Sequence, residues 1–307
     1  MNMILNKIYR NLNNPYAFII FSLNFTKLAN LLPDKLYLQL LFRRVMGQKL
    51  NLDNPQTFNE KLNWLKLYDR KPEYSRMVDK YEAKKYVASI IGEEYIIPTY
   101  GVWNTFDDIN FELLPNQFVL KCTHDSGSVI ICRDKNTFDF DNAKKRINKA
   151  LKRNLYLLGR EWVYKDIKPR IIAEKLMTEK KRESINDYKF FCFDGTPKCL
   201  FIATDRHLGD EHVKFDFYDS QFNHLDIVQL HEQSGKEIEK PLSFNEMLIL
   251  SGLLSKGIPH VRIDFYEING HPYFGEFTFY HHGGTIPFKT KEWDLILGTW
   301  INLPQKR

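Results

Sequence analysis

Between Val261 and Phe279 the chain alternates in polarity on both sides of Asn269-Gly270, the pattern of two antiparallel strands joined by a tight turn. Val261, Ile263 and Phe265 fall on one face of the first strand, and Arg262, Asp264 and Tyr266 on the other. In the second strand Phe277 and Phe279 alternate with Glu276, Thr278 and Tyr280. Side chains repeat every two residues along a strand, so a one-residue slip would expose a whole apolar set, and the pattern itself selects the register. Keeping the phenylalanines together predicts Ile263 opposite Phe277 and Val261 opposite Phe279. Asp264 then faces Glu276, and Arg262 faces Thr278. A bare two-residue turn has the wrong parity for this register, which predicts a three-residue loop or a bulge in the hairpin.

Two carboxylates directly opposed across a ladder repel each other. A hard cation and the neighbouring Arg262 are the agents that would compensate. Mg²⁺ matches best, since it binds through one or two carboxylates and completes its shell with phosphates. The spacing leaves a second reading open, a solvated hairpin face with Asp264 simply paired to Arg262.

A chain of 307 residues is long enough for two domains. Its 23 Phe and 16 Tyr supply large core side chains. No run approaches the ~18–20 apolar residues that span a bilayer. The nearest, Ala17 to Leu32, is broken by Asn24, Lys27 and Asn30, and it lacks the cleavage pattern of a signal peptide. Cys122, Cys132, Cys192 and Cys199 have no metal-ligand spacing and read as buried reduced thiols of a cytoplasmic protein. The net charge of +6 is concentrated at the start: residues 1–50 hold seven Lys or Arg against the single acid Asp34. A balanced remainder argues against a nucleic-acid-binding surface. A basic, apolar N-terminus can rest on an anionic membrane, or pack on the body with its basic faces solvated.

The first half reads as helical: Lys35–Met46 capped by Gly47, a capping box at Thr57-Phe58-Asn59-Glu60, and Asp79 leading Lys80–Ile91 to Gly92. Strand signals begin at Tyr95–Ile97. Gln117–Cys122 and Val129–Cys132 flank the small polar loop Thr123-His124-Asp125-Ser126-Gly127-Ser128, whose tip offers hydroxyls and N–H groups to an anion. Asp141 is expected to cap a basic helix over Ala143–Leu158 that Gly159 ends. Arg170–Met177 reads as a buried strand. Asp187–Phe193 and Thr196–Ala203 form a hairpin around Asp194-Gly195, followed by a β segment at Val213–Tyr218. Ser243-Phe244-Asn245-Glu246 is a second capping-box pattern, Tyr280–Thr285 is expected to be a mobile polar loop, and Lys291–Trp300 to be helical.

Taken in order, a strand lysine (Lys121), a phosphate-sized loop, a strand ending in Glu174, a second strand lysine (Lys189) and the Arg-Asp…Glu hairpin resemble the ATP-grasp superfamily. The resemblance narrows to its teichuronopeptide-biosynthesis (TupA-like) branch through Thr57-Phe58-Asn59-Glu60-Lys61-Leu62, Asp79-Lys80-Tyr81, Leu114–Lys121, Asp187-Tyr188-Lys189-Phe190-Phe191 and Phe274-Gly275-Glu276-Phe277-Thr278. It runs from about Leu52 to the C-terminus.

The resemblance implies an α+β fold in which two subdomains with antiparallel sheets clamp ATP behind a mainly helical N-terminal region. The corresponding divisions are a basic segment 1–52, an α/β part 53–105, and an ATP-grasp domain 106–307 split into about 106–185 and 186–307. It implies that Lys121 contacts the α/β-phosphates and that Thr123, Ser126, Gly127 and Ser128 close over them. Backbone groups of Lys175, Leu176 and Met177 would read adenine, and Glu174 its amino group or the ribose. Asp264 and Glu276 would hold Mg²⁺, Arg262 would stabilise charge on the transferred phosphoryl group or acyl phosphate, and Lys189 would be a second phosphate ligand. Thr278, where the family has asparagine, with His281, His282 and Asp294, would border the acceptor substrate.

The implied activity is an ADP-forming carboxylate–amine ligase acting on a small-molecule or lipid-linked saccharide carboxylate, such as a uronic acid of a surface polysaccharide. Residues 1–50 would then be able to touch the inner face of the membrane. Rival readings are a glycosyltransferase using the D-x-D sequence Asp139-Phe140-Asp141, a kinase on the same fold, and a non-catalytic assembly factor. The intact Lys121, Asp264 and Glu276 speak against the last.

Overall fold

The chain is described here by a computed structural model covering residues 28–178, 185–205 and 212–306, together with Tyr16, Ile19 and Ile20. Among the residues described from 28 onward, α1 Asp34–Met46, α2 Phe58–Tyr68, α3 Glu73–Val78 and α4 Glu82–Ile91 precede the strands. Strands β1 Thr99–Trp103, β2 Phe118–Cys122 and β3 Ile130–Cys132 lead to α5 Phe140–Leu151, α6 Leu155–Gly159 and β4 Ile171–Lys175. Then follow β5 Asp187–Phe193, β6 Thr196–Thr204, β7 Lys214–Asp219, β8 His224–Leu225, α7 Phe244–Ser255, β9 Val261–Ile268, β10 His271–Thr278 and α8 Lys291–Thr299.

Among the described residues the strands form two antiparallel sheets. A four-stranded sheet has the order β1-β4-β2-β3, and a six-stranded sheet the order β10-β9-β5-β6-β7-β8. Each has its own core. Phe118, Leu120, Ile130 and Ala173 of the small sheet pack with Ala143 and Ile147 of α5. The large sheet buries Phe190, Phe191, Ile202, Phe217, Ile263, Phe265 and Phe277 in one cluster with Phe42, Phe58, Leu62, Val87 and Leu254. The N-terminal helices thus belong to the large sheet's core, whereas β1 crosses to the small sheet.

The hairpin has the register that the phenylalanines demand: Ile263 pairs with Phe277, Asp264 with Glu276, and Arg262 with Thr278. Asn269 and Gly270 both take positive φ (52° and 76°), as a two-residue type I′ turn requires. The parity is corrected at Gly275, where the pairing jumps from Phe274–Phe265 to Glu276–Asp264. A Cβ at Gly275 would lie 3.0 Å from the Asp264 carbonyl oxygen, so the bulge leaves room for hydrogen alone.

α2 starts in a complete capping box, Glu60 N–H donating to Thr57 Oγ1 at 3.2 Å and Thr57 N–H to Glu60 Oε2 at 3.1 Å. α1 ends at Gly47, left-handed at φ 72°, whose N–H reaches the Arg43 carbonyl. All four cysteines are free and buried.

Several local expectations are corrected. Residues 93–95 form a 3-10 turn and the strand starts at Thr99, after Pro98, which has no N–H for a ladder. The basic helix is two helices. Its cap is Asp139, accepting from Asn142 N–H at 2.9 Å, and Asn154 caps a second start by accepting from Tyr156 N–H. Ser243 makes no capping box. Its N–H and hydroxyl both donate to Glu267 of β9, while Glu246 accepts from the Tyr95 hydroxyl. The Tyr280–Thr285 loop is a packed turn: Lys66 donates to the Gly283 carbonyl at 2.7 Å and Asn63 Nδ2 to that of Gly284 at 2.7 Å.

Most of the basic N-terminal segment, residues 1–15, 17, 18 and 21–27, lies outside the described residues. Its described helix α1 packs on the body through Tyr37, Leu38 and Phe42, with Asp34 held by Arg70 and the Tyr156 hydroxyl. Among the described residues no helix is long and apolar enough to cross a membrane.

Candidate active site

Three neighbouring strands place Lys189 (β5), Asp264 (β9) and Glu276 (β10) at one level of the large sheet. One level along, Phe191, Arg262 and Thr278 align in the same way. Lys189, Glu276, Arg262 and Thr278 line a cavity of about 420 Å³ together with Lys80, Asp125, Ser126, Glu161, Tyr164, Tyr280 and His282, while Asp264 is buried behind them. The cavity lies between the large sheet and the β2–β3 loop, where a clamped ligand would touch both parts.

The repulsion expected between Asp264 and Glu276 is answered by cations on the same face. Arg262 grips Asp264 with two parallel bonds, Nε to Oδ1 and Nη2 to Oδ2, both 2.7 Å, and its Nη2 lies 3.5 Å from Glu276 Oε1. Lys189 donates to Asp264 Oδ2 as well. Burial would raise the Asp264 proton affinity, but Arg262 and Lys189 outweigh it and hold the carboxyl below its ordinary value. The Asp264–Arg262 pair therefore exists as the alternative reading had it, but it is buried rather than solvated.

Arg262 is itself fixed from behind. Its Nη1 lies 3.0 Å from His281 Nδ1, and His281 Nε2 lies 2.9 Å from Gln229 Oε1. Gln229 Nε2 donates to the Ile286 carbonyl, so Oε1 must accept, His281 carries its proton on Nε2, and Nδ1 accepts from Arg262. Burial, with the charges of neighbouring groups, pushes His281 well below the ordinary histidine range. His281 thus orients the guanidinium as a neutral ring. Gln229, whose partner lies 52 residues away, was not singled out by the sequence.

His282 is also neutral: burial foremost, then the Arg262 charge, depresses it to about 3. It borders the cavity beside Thr278. Asp294 does not. It sits in α8, accepting from Asn59 N–H at 3.0 Å and Asn59 Nδ2 at 3.1 Å, and it ties α8 to the start of α2. Its assignment to the acceptor site is therefore corrected to a structural one; the positions 59, 63 and 66 form a polar stripe that α2 buries inward.

On the small sheet Glu174 is buried between two lysines, Lys121 at 2.6 Å and Lys84 at 2.7 Å. Burial opposes its charge, but Lys121 first and then Lys84 pull the carboxyl down to about 2. Lys175 N–H donates to the Pro98 carbonyl at 2.9 Å, so this group is already committed. Leu176 and Met177 follow as half-buried residues at the strand end.

The loop after Lys121 is more ordered than a small polar loop suggests. Ser128 Oγ accepts from Cys122 N–H at 2.8 Å and donates to Asp125 Oδ1. Asp125 Oδ2 pairs with Arg153, and its carbonyl accepts from Lys80. Thr123 is buried. The Ser128 hydroxyl thus shapes the loop, and the exposed tip is Ser126 with Gly127, at φ 84° and with open space around it.

Among the described residues no group of three or more His, Cys, Asp or Glu side chains could hold a metal ion. A cation here would take most of its ligands from phosphate oxygens and water, which suits Mg²⁺. Glu276, with 41% of its side chain exposed, is the more open carboxylate; both oxygens of Asp264 are engaged by Arg262 and Lys189.

None of the curated proteins matches the sequence. Among solved structures, D-alanine–D-alanine ligase from Helicobacter pylori is similar over 80% of this chain and 69% of its own, at 14% identity and a TM-score of 0.40. The Bacillus anthracis D-alanine–D-alanine ligase complexed with ATP is similar over 66% and 53%, at 16% identity and 0.37. The ATP-grasp ligase PsnB, complexed with minimal precursor, Mg and ADP, is similar over 72% and 57%, at 12% identity and 0.39. The chain spans about half the length of the Bacillus anthracis ligase. A family profile described as TupA-like ATPgrasp matches residues 60–302, a span that takes in both sheets and every residue facing the cavity. The chain belongs to the TupA-like ATP-grasp family and carries the ATP-grasp fold.

Proposed function

We propose that this protein is an ADP-forming carboxylate–amine ligase. The observation that carries the reading is the set Lys189, Arg262 and Glu276, held together by the buried Asp264 and facing a cavity that the β2–β3 loop borders from the other side. In this reading ATP lies between the sheets, with adenine at the strand end formed by Leu176 and Met177, and Glu174 beside it. Lys121 and the Ser126–Gly127 tip meet the phosphates. Mg²⁺ would be held by Glu276 with support from Asp264, and would neutralise charge on the phosphates. Arg262, fixed by Asp264 and His281, points a positional donor at the transferred phosphoryl group, and Lys189 stands beside it. A substrate carboxylate oxygen attacks the γ-phosphorus, ADP leaves, and the acyl phosphate then loses phosphate to an amine.

The proposed substrates are a uronic acid of a surface polysaccharide, free or lipid-linked, and an amino acid or other amine. The proposed division of labour puts the nucleotide's base on residues 106–185 and the metal on 186–307. The glycosyltransferase reading loses its motif, because Asp139 is spent on capping α5 and lies away from the cavity.

The test is thermal unfolding of wild type and Glu276→Gln with Mg-ATP, Mg-ADP or UDP-sugars. Ligand at ~100 times Kd adds about 2.7 kcal/mol. Stabilisation by Mg-adenine nucleotide that disappears in the variant supports the reading. Stabilisation by UDP-sugars alone would overturn it, and phosphorylation of the carboxylate without any amine requirement would make the protein a kinase.

A further inference from the structure

We infer that Glu161 is the carboxylate that receives the amine substrate, binding its ammonium and accepting a proton from it. This rests on the ligase reading. Glu161 follows Arg160, which closes α6, and lines the same cavity as Arg262 and Glu276. Its nearest cation, Lys66, is fully buried, and its three protons are already directed at the Gly159 carbonyl (2.8 Å), the Gly283 carbonyl (2.7 Å) and Asn63 Oδ1 (3.5 Å). Lys66 therefore supports Glu161 by charge alone, and among the described residues no donor hydrogen-bonds the Glu161 carboxylate. Glu161 is half-buried at the cavity wall, so its acceptor sites stay open to a donor entering the cavity.

The other acids of the cavity are accounted for. Asp125 is bound by Ser128 and Arg153, and Glu276 faces Arg262 and the proposed metal. Glu161 is left as the acid with unspent acceptors, in a cavity whose other charges suit phosphates and a carboxylate. Facing it are Lys66 of α2, Tyr164 of its own segment, Tyr280 and His282 of the turn, and Arg262 and Glu276 from the large sheet. Burial raises its proton affinity, with Lys66 pulling the other way, which suits a group that takes a proton from an ammonium.

The step balances as follows. The ammonium gives one proton to Glu161, and the neutral nitrogen lone pair forms a C–N bond to the acyl carbon. The C–O bond to phosphate breaks with its electron pair on the phosphate oxygen, and the second N–H proton leaves with the phosphate. The ligand class is a primary amine with a free ammonium group.

The experiment is a carbon-13 titration of the full chain labelled at the glutamate side-chain carboxyls, with and without Mg-ADP, using methylamine as probe and tetramethylammonium as ionic control. The Glu161 signal is assigned by its loss in Glu161→Gln, or in Glu161→Asp if the first variant does not fold. The expected result is a signal titrating above the ordinary glutamate range that methylamine moves saturably and tetramethylammonium does not. Methylamine affinity should fall by about tenfold in the variant, the loss of one charge-assisted hydrogen bond. A Glu161 signal unmoved by methylamine while Mg-ADP binds overturns this inference and leaves the ligase reading standing. If Mg-ADP perturbs no glutamate signal, Glu276 included, the ligase reading fails and the inference with it.

Discussion

Glu174→Gln removes the single negative charge between Lys84 and Lys121. The Glu174 carboxyl sits at about 2 in the fold against an ordinary 4.5. At about 1.4 kcal/mol per unit, the charged carboxylate contributes about 3 kcal/mol at pH 7. Burial lowers the proton affinity of Lys84, so part of that gain is returned by the lysine, and the triad is worth less than the carboxylate alone suggests. The variant nonetheless leaves two ammonium groups with no carboxylate between them, and a loss of about 3 kcal/mol is expected, roughly 5 °C in Tm for a chain of this size. The pH dependence gives the sign. A depressed folded value means the stability is fully present above the unfolded value near 4.5 and is lost as pH falls toward 2. Urea unfolding of wild type and variant at pH 7 and pH 3 should show the gap shrinking to about half. A gap that is negligible at pH 7, or that does not narrow on acidification, would refute the electrostatic account of this site.

Other perturbations separate structure from chemistry. Arg262→Ala should destabilise by about 3–5 kcal/mol, because Asp264 would remain buried with only Lys189, whereas Arg262→Lys should fold better yet lose at least tenfold in kcat, measured as ADP release. Gly275→Ala should cost about 1–3 kcal/mol, since the added methyl meets the Asp264 carbonyl and the Tyr266 ring, and should weaken Mg-nucleotide binding by shifting Glu276. Asp294→Ala should cost about 1–3 kcal/mol by stranding Asn59 N–H and leaving Asn59 Nδ2 with only the Ile286 carbonyl, with nucleotide affinity by calorimetry unchanged.

The features readable from sequence are those with a local period. The hairpin register and its parity fault follow from alternation and turn length, and the α2 start from residues three apart. What escaped depends on partners far along the chain. Gln229 has no neighbour in sequence that betrays its bond to His281. The Asn59–Asn63–Lys66 spacing marks a helical stripe, but polar side chains on a helix ordinarily face water, so polarity does not reveal that this one is buried. Its partners are backbone carbonyls of a turn more than 200 residues away, which no local pattern encodes. The family resemblance places Asp294 at the acceptor site, and the burial that gives it a structural task appears only in three dimensions. Glu161 lies in a stretch with no motif, so only the cavity draws it out.

The cross-bonded β2–β3 loop bears on how tightly a nucleotide can be held. Fixing one residue's backbone costs about 1–2 kcal/mol in conformational entropy, so ordering six slack residues on binding would forfeit about 6–12 kcal/mol. Here Thr123, His124, Asp125 and Ser128 are buried by the protein itself. Only Ser126 and Gly127 remain to be ordered, at about 2–4 kcal/mol. With the loop in the nucleotide-binding role proposed above, little of the contact energy would go to ordering it, and more would survive as affinity.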